Sequence, residues 1–389
     1  MMSCQRFSRL QTRFCVAVSV LMLVGQTGFA QQPKVNANVL PFVEKGALAG
    51  AVMLVADREK TLAVETAGYS DVAAKKPIDA NDLFWIASMS KPVTGTALMV
   101  VVDEGKVQLD DPVEKYLPEF RGMWVVTQKD DNHQVLRRPL RLITVRDLLR
   151  HTSGLPFRSA METPTLDGLP LSVAVRSYAM TPLNYEPGTK YDYSNAGINT
   201  AARIIEVVTN QSFEDFLQTR FFDPLGMKDT TFWPNDEQVT RVVKAYSPTE
   251  DKMGLKEIKI SQLTYPLNDR RRGPMPAGGL FSTAADMGVF CQMILNNGEF
   301  KGKRYLSEKA VKELGTKQTG EGIKDSYGLG WSVGDGSLGH GGALSTNMNV
   351  DYKRGLATVW LVQHGGFPQD GGNAHGAFVQ AANQLAASK

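Results

Sequence analysis

The chain has 389 residues, 43 of them basic and 40 acidic, so its formal net charge at pH 7 is only +3. Its first 30 residues contain three arginines and no acidic residue, which leaves 40 basic and 40 acidic residues in the remainder. A near-neutral chain lacks the basic surface that a general nucleic-acid binder needs. The composition therefore argues against that class, and we expect no nucleic-acid partner.

Residues 1–30 have the pattern of a secretory signal peptide. Basic residues are followed by an apolar run from Val16 to Val24 and by the cleavage-site sequence Gly28-Phe29-Ala30. The run is too short to span a membrane, and Cys15 precedes it instead of standing at the cleavage site. We therefore expect cleavage after Ala30, a secreted or periplasmic location and no stable membrane anchor.

The N-terminal part of the remaining chain, residues 31–389, predicts a short helix and a pair of strands. The helix covers 36–45, and the strands cover 50–56 and 60–67 around a tight turn. A second helical pattern begins at Ser88 and continues to residue 104, where Gly105 is well placed to follow the helix end.

The middle of the chain is mainly helical, with a polar, hairpin-like insertion over 121–141. A long loop, 155–190, holds one helix near 171–180, and a further helix is predicted over 196–209. The run 269–272, which contains three arginines, is interpreted mostly as a solvated loop.

The C-terminal part predicts strands over 327–333, 343–352 and 356–363, with a helix over 284–295 before them. Cys291 lies alone in that apolar helix, so we expect it to be buried and not paired. A last helix covers 375–387.

The simplest packing pairs the N-terminal and C-terminal strands in one antiparallel sheet flanked by the terminal helices. Residues 36–80 and 275–389 would form this α/β part, and residues 81–274 a mostly helical lobe. The chain is thus predicted to have an α+β fold, with a cleft between the two parts of one domain.

Ser88 and Lys91 are the first candidate for chemistry. On a helix, residues three apart share a face, so the Lys91 ammonium can reach the Ser88 hydroxyl. A serine is a weak nucleophile until a base takes its proton, and a lysine kept neutral by burial can be that base. A capped helix with a surface lysine is the alternative, but the apolar neighbours Phe84, Trp85 and Ile86 argue against a solvated face.

Two short motifs fall where the cleft would need them. In Tyr193-Ser194-Asn195, at a helix start, the phenol can relay a proton and the amide can hold a substrate carbonyl. In His340-Gly341-Gly342, between two predicted strands, glycines let a substrate approach backbone N–H groups that can form an oxyanion hole. Taken alone, the first could be a simple N-cap and the second a glycine-rich turn.

Together the three motifs resemble one family, the serine hydrolases that include class C β-lactamases, penicillin-recognising peptidases and esterases built on the same fold. Its pattern is S-x-x-K, then Y-x-N, then K-T-G or H-x-G. The segments 148–155, 278–283 and 327–331 are also similar to this family, so the resemblance covers about residues 36–387. It implies a β-lactamase/transpeptidase-like fold and no cofactor.

The resemblance also implies a role for each matching residue. Ser88 would be the nucleophile, Lys91 would be its base, and Tyr193 would share the proton transfer. The substrate would be bound by Asn195, His340, Gly341 and Gly342. The oxyanion hole would be formed by the backbone N–H groups of Ser88 and Ala343.

His340 departs from the lysine that penicillin-recognising members usually have. Lysine carries a fixed positive charge that attracts the carboxylate of β-lactams and D-Ala-D-Ala peptides, whereas histidine is mostly neutral at pH 7 and is expected to gain charge near pH 5.5. The departure favours the esterase branch and a small-molecule ester as substrate.

Two alternatives stay open. The chain could be a β-lactamase or a peptidase that acts on cell-wall peptides, or it could be a catalytically idle binding protein on the same scaffold. Idle relatives usually lose the serine, lysine or tyrosine, and all three are present here. The five histidines lack metal-binding spacing, so no metal is expected. The sequence also lacks the G-x-S-x-G motif that would indicate an α/β-hydrolase.

Overall fold

The computed structural model describes residues 34–387, so the predicted signal peptide lies outside the described residues. Within 34–387, seven strands form one antiparallel sheet in the order β4-β5-β6-β7-β1-β2-β3. The strands are β1 (Gly50–Asp57), β2 (Thr61–Asp71), β3 (Lys76–Pro77), β4 (Ser332–Gly334), β5 (Ser337–Gly341), β6 (Asn347–Asp351) and β7 (Leu356–Leu361). The N-terminal and C-terminal strands meet where β1 pairs with β7, as the sequence predicts.

The central strand β1 is buried on both faces because its sequence is apolar from Ala51 to Ala56. Successive side chains of a strand point to opposite faces, so Leu54 joins the larger core, shared with the middle of the chain. Met53 joins a second core, which lies under the terminal helices.

The helices of the described residues are α1 (Leu40–Glu44), α2 (Ser90–Asp103), α3 (Val145–Leu149), α4 (Leu171–Ala179), α5 (Asn195–Thr209), α6 (Phe213–Leu217), α7 (Asp223–Leu225), α8 (Asp236–Thr240), α9 (Ala284–Leu295), α10 (Glu308–Leu314) and α11 (Ala374–Ala387). Short 3₁₀ turns cover Ala87–Met89, Val113–Lys115, Pro118–Phe120 and Gly371–Asn373, and a π turn covers Gln218–Phe222. Four small two-stranded sheets pair Phe84–Trp85 with Phe281–Ser282, Val125–Lys129 with Gln134–Arg137, Ala245–Pro248 with Leu255–Ile258, and Glu299–Phe300 with Lys303–Arg304.

Helices cover both faces of the large sheet. The terminal helices α1 and α11 pack on one face, where Phe378 stacks on Trp360. Helix α9 packs on the other face, and Gly288 is needed there because a Cβ at this position would lie 2.7 Å from a methyl group of Leu54. Cys291 of α9 is free and buried, as predicted.

Several predicted elements differ from the structure. The strand predicted over 327–333 is wrong for most of its length, because the observed strand begins only at Ser332. The helical pattern that begins at Ser88 is divided into the 3₁₀ turn Ala87–Met89 and α2. Helix α2 ends just before Gly105, which has a φ of +71° and follows the helix end as predicted. Strand β5 was not predicted, and the placement of His340 between two strands is wrong, since His340 lies within β5. The sequence of β5 contains two glycines, a residue type depleted in strands, which obscures the pattern.

The interpretation of the run 269–272 as a solvated loop is wrong for its last residue. Arg272 is buried and forms an ion pair with buried Asp167, with 2.7 Å between Nε and Oδ2. This pair joins the loop over 155–190 to the loop that precedes residue 274. Arg271, by contrast, is exposed, as predicted.

Candidate active site

Ser88 lies on a 3₁₀ turn between a short strand and α2. The preceding residue, Ala87, has a φ of +46°, which turns the chain sharply and leaves Ser88 half-buried while its neighbours are buried. Ser90 fixes this turn, because its hydroxyl donates to the Ala87 carbonyl at 2.7 Å and accepts from the Leu280 N–H at 3.2 Å. The turn is therefore tied to the segment that enters α9.

Lys91, in the first turn of α2, is fully buried. Its Nζ lies 3.1 Å from Ser88 Oγ, as the three-residue spacing predicts, and 2.7 Å from both Asn195 Oδ1 and the Ala277 carbonyl oxygen. Burial lowers the pKa of Lys91 well below its ordinary value of 10.5.

The hydrogen bonds of Lys91 fit a neutral amine. Such an amine has two N–H donors and one lone pair. The two shorter bonds go to carbonyl-type oxygens, on Asn195 and Ala277, which can only accept. The lone pair is then left for the third neighbour, the Ser88 hydroxyl, so the geometry is that of a base in contact with a nucleophile.

Helix α5 provides two asparagines to this arrangement. Asn195 accepts from Lys91, while Asn199, one turn later, accepts from the Ala277 N–H at 3.0 Å and so fixes the carbonyl that faces Lys91. The Asn195 amide nitrogen has no hydrogen-bond partner within 34–387 and is available to a ligand. The roles of Asn199 and Ala277 were missed, although the spacing N-x-x-x-N could have indicated Asn199.

Tyr193 stands just before α5, beside both Ser88 and Lys91. Its ring centroid is 4.5 Å from Lys91 Nζ, and its hydroxyl lies near that of Ser88. Burial raises the pKa of Tyr193 above its ordinary value of 10, although the nearby Ser88 hydroxyl opposes this shift. The phenol therefore keeps its proton near neutral pH.

A loop segment, 151–157, holds the start of α5. The His151 carbonyl accepts from the Asp192 N–H at 2.9 Å, and the His151 ring accepts from the Ser194 N–H at 3.1 Å. The Phe157 carbonyl accepts from the Asn195 N–H at 3.1 Å. The similarity to the family covered residues 148–155 and so indicated His151, but it did not indicate Phe157 or these contacts.

His340, on β5, is almost completely buried. Its Nδ1 lies 2.7 Å from the Gly341 carbonyl oxygen and its Nε2 lies 2.9 Å from the Tyr327 hydroxyl. Burial lowers the pKa of His340 to about 3, and Lys91 adds a smaller contribution in its protonated form. The expectation that His340 gains charge near pH 5.5 is therefore wrong, because burial disfavours the charged imidazole.

The two glycines after His340 have different surroundings. A Cβ on Gly342 would lie 2.1 Å from Thr346 Oγ1 and 2.6 Å from the Ile86 carbonyl oxygen, so glycine is needed for the end of β5 to approach the nucleophile turn. A Cβ on Gly341 would have no neighbour closer than 3.6 Å. The next residue, Ala343, is exposed, and its N–H has no hydrogen-bond partner among the described residues.

Among residues 34–387, no group of three or more His, Cys, Asp or Glu side chains could hold a metal ion. None of the described helices has both the length and the apolarity that crossing a bilayer requires.

Comparison with known proteins identifies the class to which this fold and site belong. The family model described as Beta-lactamase matches residues 35–382. The chain therefore belongs to the Beta-lactamase family, and its large antiparallel sheet with flanking helices is the β-lactamase/transpeptidase-like fold.

Individual relatives agree with this assignment. Protein Rv1367c of Mycobacterium tuberculosis is 31% identical over 362 residues, which cover 85% of this chain and 89% of the relative. Among solved structures, "EstCE1, a hydrolase with promiscuous acyltransferase activity" has a TM-score of 0.75 and 23% identity, covering 90% of this chain and 97% of that one. Simvastatin synthase (LovD) from Aspergillus terreus has a TM-score of 0.76 and 20% identity, with coverage of 90% and 97%. At these identities, the two structures establish the fold alone.

Proposed function

We propose that this protein is a serine hydrolase that cleaves carboxylic esters through an acyl intermediate on Ser88. The observation that carries the proposal is the hydrogen bonding of Lys91, whose buried amine is fixed by two carbonyl-type oxygens and directed at the Ser88 hydroxyl. A surface lysine in a capped helix would have none of these contacts.

In the first half of the reaction, Ser88 Oγ attacks the ester carbonyl carbon and its proton passes to Lys91 Nζ. The carbonyl oxygen becomes an oxyanion, which the backbone N–H groups of Ser88 and Ala343 would stabilise. Collapse of this intermediate breaks the bond to the alcohol. The alcohol leaves with a proton delivered from Lys91 through the Tyr193 hydroxyl.

In the second half, a water molecule attacks the acyl carbon and gives its proton to the same pair of groups. The Ser88–acyl bond breaks, Ser88 recovers its proton and the carboxylic acid is released. Tyr193 acts in this scheme as a proton-carrying relay, because burial raises its pKa and disfavours a standing phenolate. Lys91 is the base because burial lowers the pKa of an amine, which leaves it neutral and able to accept a proton.

The preference for esters rests on the charge and polarity around the nucleophile. His340 is held neutral, so the position where penicillin-recognising relatives usually have a lysine offers no fixed charge to a substrate carboxylate. Phe157, which is 46% exposed, stacks against Tyr193 with 6.4 Å between ring centroids. An exposed aromatic ring beside the phenol favours an apolar group of the substrate.

The β-lactamase or peptidase alternative requires recognition of a substrate carboxylate, for which His340 is poorly suited. The idle binding protein is disfavoured because Ser88, Lys91 and Tyr193 are mutually in contact, an arrangement that a ligand-binding protein does not need.

A substrate panel tests the proposal. We expect p-nitrophenyl butyrate to be hydrolysed with a kcat/KM well above that for nitrocefin or a D-Ala-D-Ala peptide. The Ser88→Ala variant should lose all of this turnover. The Ser332→Ala variant, which removes an exposed hydroxyl from edge strand β4, is the matched control and should retain it. Higher kcat/KM for nitrocefin or the peptide would contradict the ester preference, and equal turnover by Ser88→Ala would contradict the mechanism.

We also propose that the chain is exported after cleavage of residues 1–30. Expression of the full chain in a Gram-negative host, followed by N-terminal sequencing of the protein in the periplasmic fraction, should give Gln31 as the first residue. Retention of Met1 in the cytoplasmic fraction alone would contradict export.

A further inference from the structure

His151 is a buried residue that the proposed reaction does not use. It is completely buried, and its φ of +59° places it in the left-handed region. Its ring centroid lies 4.6 Å from that of Tyr193 and 4.6 Å from that of Tyr327. An ordinary core position would not require a polar ring in a strained backbone conformation.

The His151 carbonyl oxygen accepts from the Tyr185 hydroxyl at 3.3 Å, and two further hydrogen bonds of His151 go to the residues that flank Tyr193. The same carbonyl oxygen accepts from the N–H of Asp192, and the His151 Nδ1 accepts from the N–H of Ser194. The two N–H donors belong to the residues immediately before and immediately after Tyr193, and the imidazole packs against the phenol ring itself. One residue therefore fixes the backbone of both residues that flank Tyr193 and also packs against its ring.

The protonation of His151 is consistent with this set of contacts. Because Nδ1 accepts the Ser194 N–H, the single proton of the neutral ring is on Nε2. Protonation of Nδ1 would break the contact. Burial lowers the pKa of His151 well below its ordinary value of 6.5, so the acceptor stays available over the working pH range.

We propose that His151 is a positioning residue for Tyr193, holding the phenol oxygen where it can exchange a proton with Ser88 and Lys91. This inference rests on the proposed function, in which Tyr193 relays protons. A shift of about 1 Å in a catalytic group can lower a rate roughly a hundredfold. Loss of the His151 contacts should therefore reduce kcat by about ten- to a hundredfold and change KM little.

Three substitutions separate the contributions of the ring and of its acceptor atom. His151→Leu retains much of the volume but has no acceptor, and His151→Phe retains the aromatic face without an acceptor. His151→Asn can place its amide oxygen near the position of Nδ1, and asparagine tolerates a positive φ better than most residues. We expect His151→Asn to recover a substantial part of the kcat that His151→Leu and His151→Phe lose.

The assay is kcat for p-nitrophenyl butyrate per active site, with the active sites counted by a fluorophosphonate probe that labels Ser88. Counting sites removes the effect of misfolded protein, so a variant that folds poorly is still informative. If His151 has only a structural role, the number of labelled sites will fall while kcat per labelled site stays at the wild-type value. That result in His151→Leu and His151→Phe would overturn the proposal.

A double-mutant cycle with Tyr193→Phe supplies the second readout. If His151 acts through the Tyr193 hydroxyl, His151→Phe should lower kcat much less in the Tyr193→Phe background than in the wild type. An undiminished effect would overturn the proposal. Failure of the proposed function itself is distinguishable, because the wild-type protein would then neither be labelled at Ser88 nor turn over the ester.

Discussion

A carboxylate next to Lys91 should restore its positive charge and disable it as a base. In the structure, Lys91 Nζ and Asn195 Oδ1 are 2.7 Å apart, so a carboxylate oxygen in place of the amide oxygen would be close enough for a charge-assisted hydrogen bond. The Asn195→Asp substitution would turn this amide oxygen into a carboxylate oxygen with little change in volume. The charged amine, which burial now disfavours, would gain a partner of opposite sign.

The size of the effect follows from that contact. A hydrogen bond to a charged group contributes about 1.5–3 kcal/mol, and one pKa unit corresponds to about 1.36 kcal/mol. The pKa of Lys91 should therefore rise by the equivalent of that free energy. Since only the neutral amine accepts the Ser88 proton, kcat/KM below that pKa should fall about ten- to a hundredfold and should recover as the pH is raised.

The assay is the pH dependence of kcat/KM for p-nitrophenyl butyrate, whose acid limb reports groups of the free enzyme. We expect the acid limb of Asn195→Asp to move to higher pH. Asn195→Ala, which removes the same oxygen without adding charge, is the control and should not move the limb upward. A uniform loss of activity in Asn195→Asp, with the acid limb unmoved, would refute the assignment of Lys91 as the base.

Three further outcomes are expected. Lys91→Ala and Tyr193→Phe should each lower kcat by about 10²- to 10⁴-fold. The double variant should lose little more, because both side chains serve one proton path. A kcat near the wild-type value in both single variants would contradict this proton path. His340→Lys should raise kcat/KM for substrates with a carboxylate near the scissile bond by about tenfold relative to neutral esters. This is the lower end of what a charge-assisted hydrogen bond provides, because burial disfavours the new charge. An unchanged ratio of the two kcat/KM values would mean that this position does not set specificity. Burial lowers the pKa of His364 to about 4, so the unfolded chain binds more protons than the folded protein between that pH and about 6.5, and stability falls as the pH drops. His364 Nε2 accepts the Ala49 N–H at 3.1 Å, and a glutamine side chain could still accept it. When the pH is lowered from 7.5 to 5.0, the unfolding free energy of His364→Gln, measured by urea titration, should therefore fall by about 2 kcal/mol less than that of the wild type. Equal losses would contradict a neutral, buried His364.

Local sequence patterns were sufficient for much of the fold. The uninterrupted apolar run of β1 predicted a buried strand, and Gly105 correctly marked the end of α2. The pair Ser88 and Lys91 was predicted to be in contact because its geometry depends only on a three-residue spacing. These features are set by neighbours in the chain, which is why they can be predicted without a structure.

The features that were missed depend on distant parts of the chain. Ala277 lies 186 residues after Lys91, and its carbonyl group carries no sequence signal. The buried state of Arg272 depends on Asp167, 105 residues earlier, whereas the three residues just before it are charged. The low pKa of His340 likewise results from burial in the folded protein, and an isolated histidine motif does not indicate it.

The identity of the acylated residue is the most direct test of the whole account. Brief reaction with p-nitrophenyl butyrate, acid quenching and peptide mass spectrometry would locate the acyl group, and the Tyr193→Phe variant could be used to slow its hydrolysis. We predict a butyryl group on the peptide that contains Ser88, assigned to that serine by fragmentation and absent in Ser88→Ala. A butyryl group on Ser90, Ser194 or any other residue, persisting in Ser88→Ala, would contradict the account.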